Sequence, residues 1–370
     1  MPLLYAHERT LASGEMGENV KKLCPAVQKK KIAHAFPLLN AEKLWYTDFV
    51  NTAHRKGQSD MEKRKEFTFP SADGRTAIHA VEWHPEGEPT GILQIAHGVA
   101  EYALRYEPLA HFLNARGFLV VANDHLGHGA SVAEGAPRLY FGEKGSWQYV
   151  VDDLYTLRRL TGEKYPGLPY FLMGHSMGSF LTRTYLIRYP GTVRGVILMG
   201  TGQNPDTLLI GGKALASVLA RRVGRENPSR TVELLAFGGY NKVFAPNRTS
   251  CDWLSASEEN VDAYLADPLC GGWASTGLFL ELLDGMAFIK KPANLRHMNM
   301  ATPVLFLSGE DDPVGNMGKG VRAAYRSFLR AGVRDAELKL YPGLRHEILN
   351  EDCGEQVCAD IWDWLARHNG

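Results

Sequence analysis

The chain has 370 residues, of which 45% are hydrophobic and 22% are charged. This length and composition suit one substantial globular core with an insertion or a small second domain, and they exclude a disordered or fibrous protein. The 41 basic residues balance the 41 acidic ones, so no excess charge attracts nucleic acid or an anionic membrane. We therefore expect no nucleic-acid partner.

Targeting signals and cysteine usage give a first expectation of location. No stretch approaches the roughly 20 consecutive apolar residues that a spanning helix requires, and the amino terminus lacks the pattern of a secretory signal. The five cysteines are odd in number and lack paired metal-ligand spacing, which favours reduced thiols. They are Cys24, Cys251, Cys270, Cys353 and Cys358. We expect a cytoplasmic protein without a transmembrane segment.

Regular structure is predicted only beyond the first 60 residues. Residues 1–60 show no sustained periodicity and are interpreted as an extension of unknown role. Residues 67–70 and 76–83 then alternate like strands, and Asp73-Gly74 between them is typical of a hairpin turn. The sequence predicts an antiparallel edge here.

After this hairpin, short continuous apolar runs alternate with helical stretches, as in a parallel sheet covered on both faces. The predicted strands are 91–97, 118–124, 169–174, 195–200, 304–309 and 336–341. The predicted helices are 106–116, 147–163, 177–189, 318–331 and 351–368. In the last helix, Val357, Ile361, Trp364 and Leu365 share one face. The predicted fold class is α/β, with a mostly parallel central sheet flanked by helices.

The alternation is interrupted over residues 201–300, which is far longer than an ordinary connection. Helical patterns over 208–222 and 231–237, and a capping box from Ser255 to Glu258, predict a mainly helical cap. We expect this cap, or lid, to cover the carboxyl ends of the strands of a core formed by residues 61–200 and 301–370.

A Gly-x-Ser-x-Gly sequence, Gly174 to Gly178, follows a predicted strand and opens a predicted helix. A serine on such a sharp turn projects its hydroxyl above the sheet, and the flanking glycines relieve crowding. This context favours Ser176 as a nucleophile over a purely structural turn.

A serine hydroxyl needs a base and a group that orients the base. His346 follows the final strand and is the best candidate base. Glu310, Asp311 and Asp312 follow the strand before it, and spacing alone does not choose among these acids. The order of serine, acid and histidine is typical of α/β hydrolases.

Backbone amides are expected to stabilise the oxyanion of the reaction. Met177 follows the nucleophile, and Val99 lies in the turn after strand 91–97, where Gly98 allows the chain to bend. His125 and His128 suggest a metal site, but no further ligand completes it. We interpret them as bracing a glycine-rich turn.

Six motifs resemble the monoacylglycerol lipase and lysophospholipase group of α/β hydrolases. They are His97–Tyr102, Arg105–Ala110, Asn123–Gly129, Gly174–Gly178, Ser308–Pro313 and Tyr341–Glu347. The resemblance covers roughly residues 65 to 367. It implies a triad of Ser176, Asp312 and His346, because the acid of the family precedes the proline at 313. It also implies oxyanion donors at Val99 and Met177.

These residues predict ester hydrolysis through an acyl-enzyme, with no metal or organic cofactor. An apolar wall in the cap suggests a small-molecule acyl ester, with a fatty acyl chain as a hypothesis, although such residues also serve as helix-packing core. The predicted wall comprises Leu208, Leu215, Leu219, Phe279 and Met286. Through the cap, the protein could also touch a membrane surface transiently.

Other readings stay open. An amidase or peptidase, a thioesterase or an acyltransferase can use the same scaffold, and so can a binding protein without turnover. The sequence does not predict the oligomeric state.

Overall fold

The computed structural model of the chain describes residues 64–370, and the predicted extension over residues 1–60 lies outside them. Eight strands form one sheet in the order β1-β2-β4-β3-β5-β6-β7-β8. The strands are β1 Arg64–Pro70, β2 Ala77–Trp83, β3 Gly91–Ala96, β4 Phe118–Asn123, β5 Tyr170–His175, β6 Gly195–Met199, β7 Val304–Gly309 and β8 Ala336–Tyr341.

The strand pairing agrees with the predicted edge hairpin and parallel core. β2 pairs antiparallel with both β1 and β4, and every other neighbouring pair is parallel. β1 begins three residues before the predicted start. Its first residues, Arg64, Lys65 and Glu66, are charged and lie on the edge of the sheet, where no apolar alternation marks a strand.

Helices cover both faces of the sheet, because the inner strands are buried on both sides. The helices of this part are α1 Glu107–Asn114, α2 Ser146–Lys164, α3 Met177–Arg188, α9 Lys319–Ala331 and α10 Gly354–His368. On α10, the four residues predicted to share a face are fully buried. On β5, Leu172 joins the core that contains residues of α3, whereas Phe171 joins the core that contains residues of α10.

The connection between β6 and β7 holds the other α-helices that the structure describes. They are α4 Asp206–Val223, α5 Arg230–Ala236, α6 Glu258–Ala266, α7 Thr276–Ile289 and α8 Pro292–Leu295. None of the helices within residues 64–370 is both long enough and apolar enough to cross a membrane.

The predicted capping box from Ser255 to Glu258 is wrong. α6 begins at Glu258 after Ser257, whose side chain makes no capping hydrogen bond, and the Ser255 hydroxyl accepts from the Ser257 amide instead. A tertiary contact explains the difference: Glu351 accepts hydrogen bonds from the amides of Ala256 and Ser257.

Three cysteines, Cys251, Cys270 and Cys358, are free thiols. Cys353 is disulfide-bonded, so the expectation of reduced thiols is wrong at this position.

Candidate active site

Ser176 lies on a strained turn between β5 and α3. Its backbone dihedrals are φ 53° and ψ −121°, a region that non-glycine residues rarely occupy. The Ser176 amide donates to the carbonyl of Met199 over 2.9 Å, which ties the turn to the end of β6. Such strain persists only where the surrounding structure enforces it.

The second glycine of the motif allows this turn to approach β3. A Cβ atom at Gly178 would lie 2.0 Å from the carbonyl oxygen of Ala96, which is far inside van der Waals contact. The serine turn therefore packs directly against the end of β3, and only glycine fits at 178.

Asp312 and His346 form a buried pair at the ends of β7 and β8. The His346 Nδ1 atom lies 3.0 Å from Asp312 Oδ2, and both side chains are almost fully buried. Asp312 also accepts from the Ser308 hydroxyl and from the Val314 amide. When the carboxylate accepts a hydrogen bond from Nδ1–H, the single proton of a neutral imidazole stays on Nδ1 and Nε2 is free to accept a proton.

Ser176 and His346 line the same cavity, which has a volume of about 520 Å³. The Nε2 atom of His346 is buried and has no hydrogen-bond partner within residues 64–370. A hydrogen bond between Ser176 and His346 is thus not formed in this structure. Catalytic hydrogen bonds often tighten only when substrate is bound.

Two backbone amides beside Ser176 are available as donors. In the part of the chain that the structure describes, neither the Val99 amide nor the Met177 amide has a backbone acceptor. A Cβ atom at Gly98 would lie 3.1 Å from the Ser176 Cβ atom, so the loop of Val99 passes close to the serine. The Gly98 amide donates to Glu101 Oε1 over 2.5 Å, which fixes that loop.

A buried ionic network that the sequence did not predict adjoins this cavity, and three of its members, Glu101, His175 and Glu347, line it. Arg105 makes a bidentate contact with Glu347 at 2.7 and 2.8 Å and a third contact with Glu101. His175 contacts Glu101 through Nδ1 and the His346 carbonyl through Nε2. In the sequence, these residues stand out only because they lie within the motifs that resemble the family. Buried charged side chains leave no periodic pattern from which they could be predicted.

The surroundings of His175 favour its protonated form. Its Nε2 atom faces the His346 carbonyl, and its Nδ1 atom lies near both Glu101 Oε1 and the Tyr106 hydroxyl. Burial alone would lower the pKa of His175, but its hydrogen bond to Glu101 and the charge of Glu101 raise it. Burial opposes ionisation of Glu101, yet His175 and Arg105 hold the pKa of this carboxyl well below its usual range. Two carboxylates, Glu101 and Glu347, therefore lie against Arg105 and His175.

His125 and His128 brace the loops at the ends of β3 and β4, as predicted. His97 accepts from the His125 amide, and the His125 ring contacts the His97 carbonyl. Burial lowers the pKa of His128 to about 3. Within residues 64–370, the group of side chains spaced to hold a metal ion is Asp335, Glu337 and His368, far along the chain from this cluster.

The five apolar residues predicted to form the acyl pocket do not line the cavity. Leu208 and Leu215 are exposed on α4, whereas Phe279 is buried in the core, with Leu219 and Met286 packed against that core. Helical periodicity identifies apolar faces but does not reveal which face adjoins the serine. The apolar lining consists mainly of Leu234, Phe237, Trp253, Leu254, Leu265 and Trp273.

The loop of His346 is fastened to the segment that contains Trp253. The Trp253 ring lies 5.2 Å from the ring of His346 and stacks on Phe237. Arg345 donates to the carbonyls of Asp252 and Ser255. Trp253 therefore covers the imidazole from the side of the β6–β7 connection.

Known proteins that are similar to this chain identify its family. A family model described as "Serine aminopeptidase, S33" matches residues 87–353. The monoacylglycerol lipase of Mycolicibacterium smegmatis is 31% identical over 309 residues, which cover 82% of this chain and 98% of that protein. The monoglyceride lipase of Homo sapiens is 28% identical over 313 residues, covering 80% of this chain and 89% of its own.

Solved structures show the same fold. A thermostable carboxyl esterase from Bacillus coagulans, crystallised with glycerol, superposes with a TM-score of 0.77 and is 28% identical, covering 83% of this chain and 99% of its own. A soluble variant of the monoglyceride lipase from Saccharomyces cerevisiae gives a TM-score of 0.65 at 20% identity, over 83% of this chain and 95% of its own, which supports the fold alone. The chain therefore belongs to the monoacylglycerol lipase-like family of α/β hydrolases and is a serine ester hydrolase of the lipase and esterase type.

Proposed function

We propose that Ser176, His346 and Asp312 are the catalytic triad of a carboxylic ester hydrolase. The observation that carries this proposal is the buried contact between His346 Nδ1 and Asp312 Oδ2, in a histidine whose other nitrogen is unpartnered and shares a cavity with Ser176. In this assignment Asp312 holds the tautomer in which Nε2 accepts a proton.

The reaction proceeds in two halves. The Ser176 hydroxyl attacks the ester carbonyl while His346 Nε2 takes its proton, and the same histidine then protonates the departing alcohol. Water deprotonated by His346 hydrolyses the acyl-enzyme, which releases the carboxylic acid and regenerates Ser176. The amides of Val99 and Met177 stabilise the oxyanion in both halves. The contact from Ser176 to His346 forms when substrate occupies the cavity.

The proposed substrates are monoacylglycerols or related esters with a fatty acyl chain. Relatives named as monoacylglycerol lipases support this substrate class, and so does the apolar wall formed by Leu234, Phe237 and Trp253. Apolar walls with a few polar groups are typical of sites that bury small ligands.

A substrate panel tests the proposal. Purified protein is assayed with monoacylglycerols of increasing chain length, short acyl esters, acyl thioesters and aminoacyl p-nitroanilides, with Ser176→Ala as the control for contaminating activity. We expect Ser176-dependent hydrolysis that favours acyl chains longer than acetyl. Faster cleavage of anilides than of esters would assign the chain to the peptidase alternative, and no Ser176-dependent turnover of any substrate would assign it to a binding role.

The proposal extends to location and membrane contact. Leu208 and Ile210 on α4 are 62% and 69% exposed, and Trp273 at the cavity is 52% exposed. Exposed apolar groups on the β6–β7 connection, which also lines the cavity, favour transient contact with a lipid surface. Flotation with neutral vesicles, compared between the wild type and a Leu208→Ser/Ile210→Ser double variant, tests this contact. Cell fractionation tests the proposed cytoplasmic location.

A further inference from the structure

One carboxyl group in the cavity has no role in the triad. Glu233 lies on α5 and lines the same cavity as Ser176 and His346. Its Oε2 atom is buried without a hydrogen-bond partner, and no described lysine, arginine or histidine forms a salt bridge with it. A buried acceptor that is left unpaired costs about 1–3 kcal/mol. Glu233 therefore has an unmet capacity to accept a hydrogen bond from a ligand.

The surroundings of Glu233 are mainly apolar. Leu234 and Phe237 follow it on or beside α5, and Trp253 stacks on Phe237. Burial raises the pKa of Glu233 to about 7, so the carboxyl is partly ionised near neutral pH. At such a site a neutral hydroxyl donor satisfies either protonation state, whereas a second anion is repelled by the ionised one.

Other charged groups of the cavity do not neutralise Glu233. Arg230 lies one turn earlier on α5 and is exposed. On the facing segment, burial together with the charges of Glu233 and Glu347 raises the pKa of the Cys251 thiol, so this thiol stays neutral. The other carboxylates of the cavity lining, Glu101 and Glu347, are paired with Arg105 and His175, and His346 is paired with Asp312.

We propose that Glu233 is a specificity-determining residue that accepts a hydrogen bond from a hydroxyl group in the alcohol part of the ester. An acyl chain carries no donor, so the alcohol part must face Glu233. The substrate class is then an uncharged ester of a polyol such as glycerol, and phosphate-bearing glycerol esters are disfavoured. This inference rests on the proposed function and names the residue that selects the alcohol.

The test compares three esters of one acyl chain: the 1-glycerol ester, the methyl ester, and the 1-glycerol ester bearing a 3-phosphomethanol group, whose charge is constant with pH. Wild type, Glu233→Leu, Glu233→Gln and Glu226→Gln are assayed. Glu226 is exposed and absent from the cavity lining, so its variant is a matched control for loss of one negative charge.

We expect Glu233→Leu to lower kcat/KM for the glycerol ester by about 10- to 100-fold, because one hydrogen bond to a charged group is lost. The kcat/KM for the methyl ester, which has no hydroxyl to donate, should not change. Glu233→Gln should raise activity on the phosphomethanol ester. The wild-type preference for the glycerol ester over the phosphomethanol ester should grow as pH rises through about 7, and Glu233→Gln should abolish this dependence. Glu226→Gln should behave as wild type.

Equal losses on the glycerol and methyl esters in Glu233→Leu, or a glycerol-to-phosphomethanol ratio unaltered in Glu233→Gln, would overturn the inference. The methyl ester separates the two levels of the proposal. If the wild type fails to hydrolyse it in a Ser176-dependent manner, the proposed function itself fails.

Discussion

The imidazole of His346 is held by Asp312 through a 3.0 Å contact at Nδ1, while its Nε2 atom is buried with no partner among residues 64–370. An imidazole oriented from one side and unoccupied on the other is the arrangement that general-base catalysis requires. The hydrogen bonds around Asp312 make this relationship testable.

Asp312→Asn should invert the tautomer of His346. The Val314 amide donates to Asp312 Oδ1, so the asparagine must keep its oxygen there and turn its NH2 group toward His346. Nδ1 then becomes an acceptor, and the proton moves to Nε2, which can no longer act as a base. We expect kcat to fall by about 10⁴-fold with little change in thermal stability. Steady-state kinetics and a melting curve check this, and a variant that retains a tenth of wild-type activity would contradict the role of Asp312.

Gly178→Ala should disrupt the approach of the serine turn to β3, because the added Cβ would lie 2.0 Å from the Ala96 carbonyl. We expect a loss of at least about 1–3 kcal/mol in the free energy of unfolding together with loss of activity. The control is Gly211→Ala on α4, where a Cβ meets open space. Since alanine favours a helix, this control should be neutral or stabilising by up to about 1 kcal/mol. Equal effects of the two substitutions in urea unfolding would refute the packing argument.

Acid should destabilise the fold through His128. Burial lowers its pKa to about 3, whereas in the unfolded chain it is about 6.5. Between these values the unfolded state binds more protons, so the free energy of unfolding decreases as pH falls. At pH 5 this histidine alone should cost about 2 kcal/mol relative to pH 7.

Urea unfolding of the wild type and His128→Asn at several pH values isolates this contribution. Asparagine can still donate to the Leu126 carbonyl, which contacts Nδ1 of His128. The variant should lose less stability between pH 7 and pH 5 than the wild type. His79 and His175, whose pKa values are raised by their carboxylate neighbours despite burial, act in the opposite direction in both proteins and cancel in the comparison. Identical pH slopes would show that His128 is not held neutral.

Glu347→Gln should unbalance the buried ionic network. Arg105 would lose its bidentate carboxylate, leaving Glu101 as the one carboxylate that contacts both Arg105 and His175. Removing one partner of a buried ion pair typically costs about 3–5 kcal/mol. Chemical denaturation against the exposed control Glu355→Gln measures the difference. A loss below about 0.5 kcal/mol would mean that the network is not needed for stability.

The sequence predicted the strands and main helices well because parallel buried strands and amphipathic helices carry strong periodic signals. Ser176, Asp312 and His346 were placed at strand ends because each lies in a short loop directly after an apolar run. The structure adds that Asp312, rather than Glu310 or Asp311, contacts His346. Spacing alone left that choice open.

The cavity wall was not predictable by the same reasoning. Trp253 and Glu233 line the cavity because of how the β6–β7 connection packs on the core. The local periodicity of a sequence does not predict that packing. The segment around Ser255 was mispredicted for the same reason. The amides of Ala256 and Ser257, at the expected start of the helix, donate to Glu351, which lies some 95 residues away in the sequence.

The most direct test of the central claim is labelling with a fluorophosphonate followed by peptide mass spectrometry. We predict a single stoichiometric adduct on Ser176, with labelling and ester turnover both lost in Ser176→Ala, the latter by about a millionfold, while the melting temperature is retained. An adduct on another residue, or a folded Ser176→Ala protein that still labels and hydrolyses esters, would contradict the account.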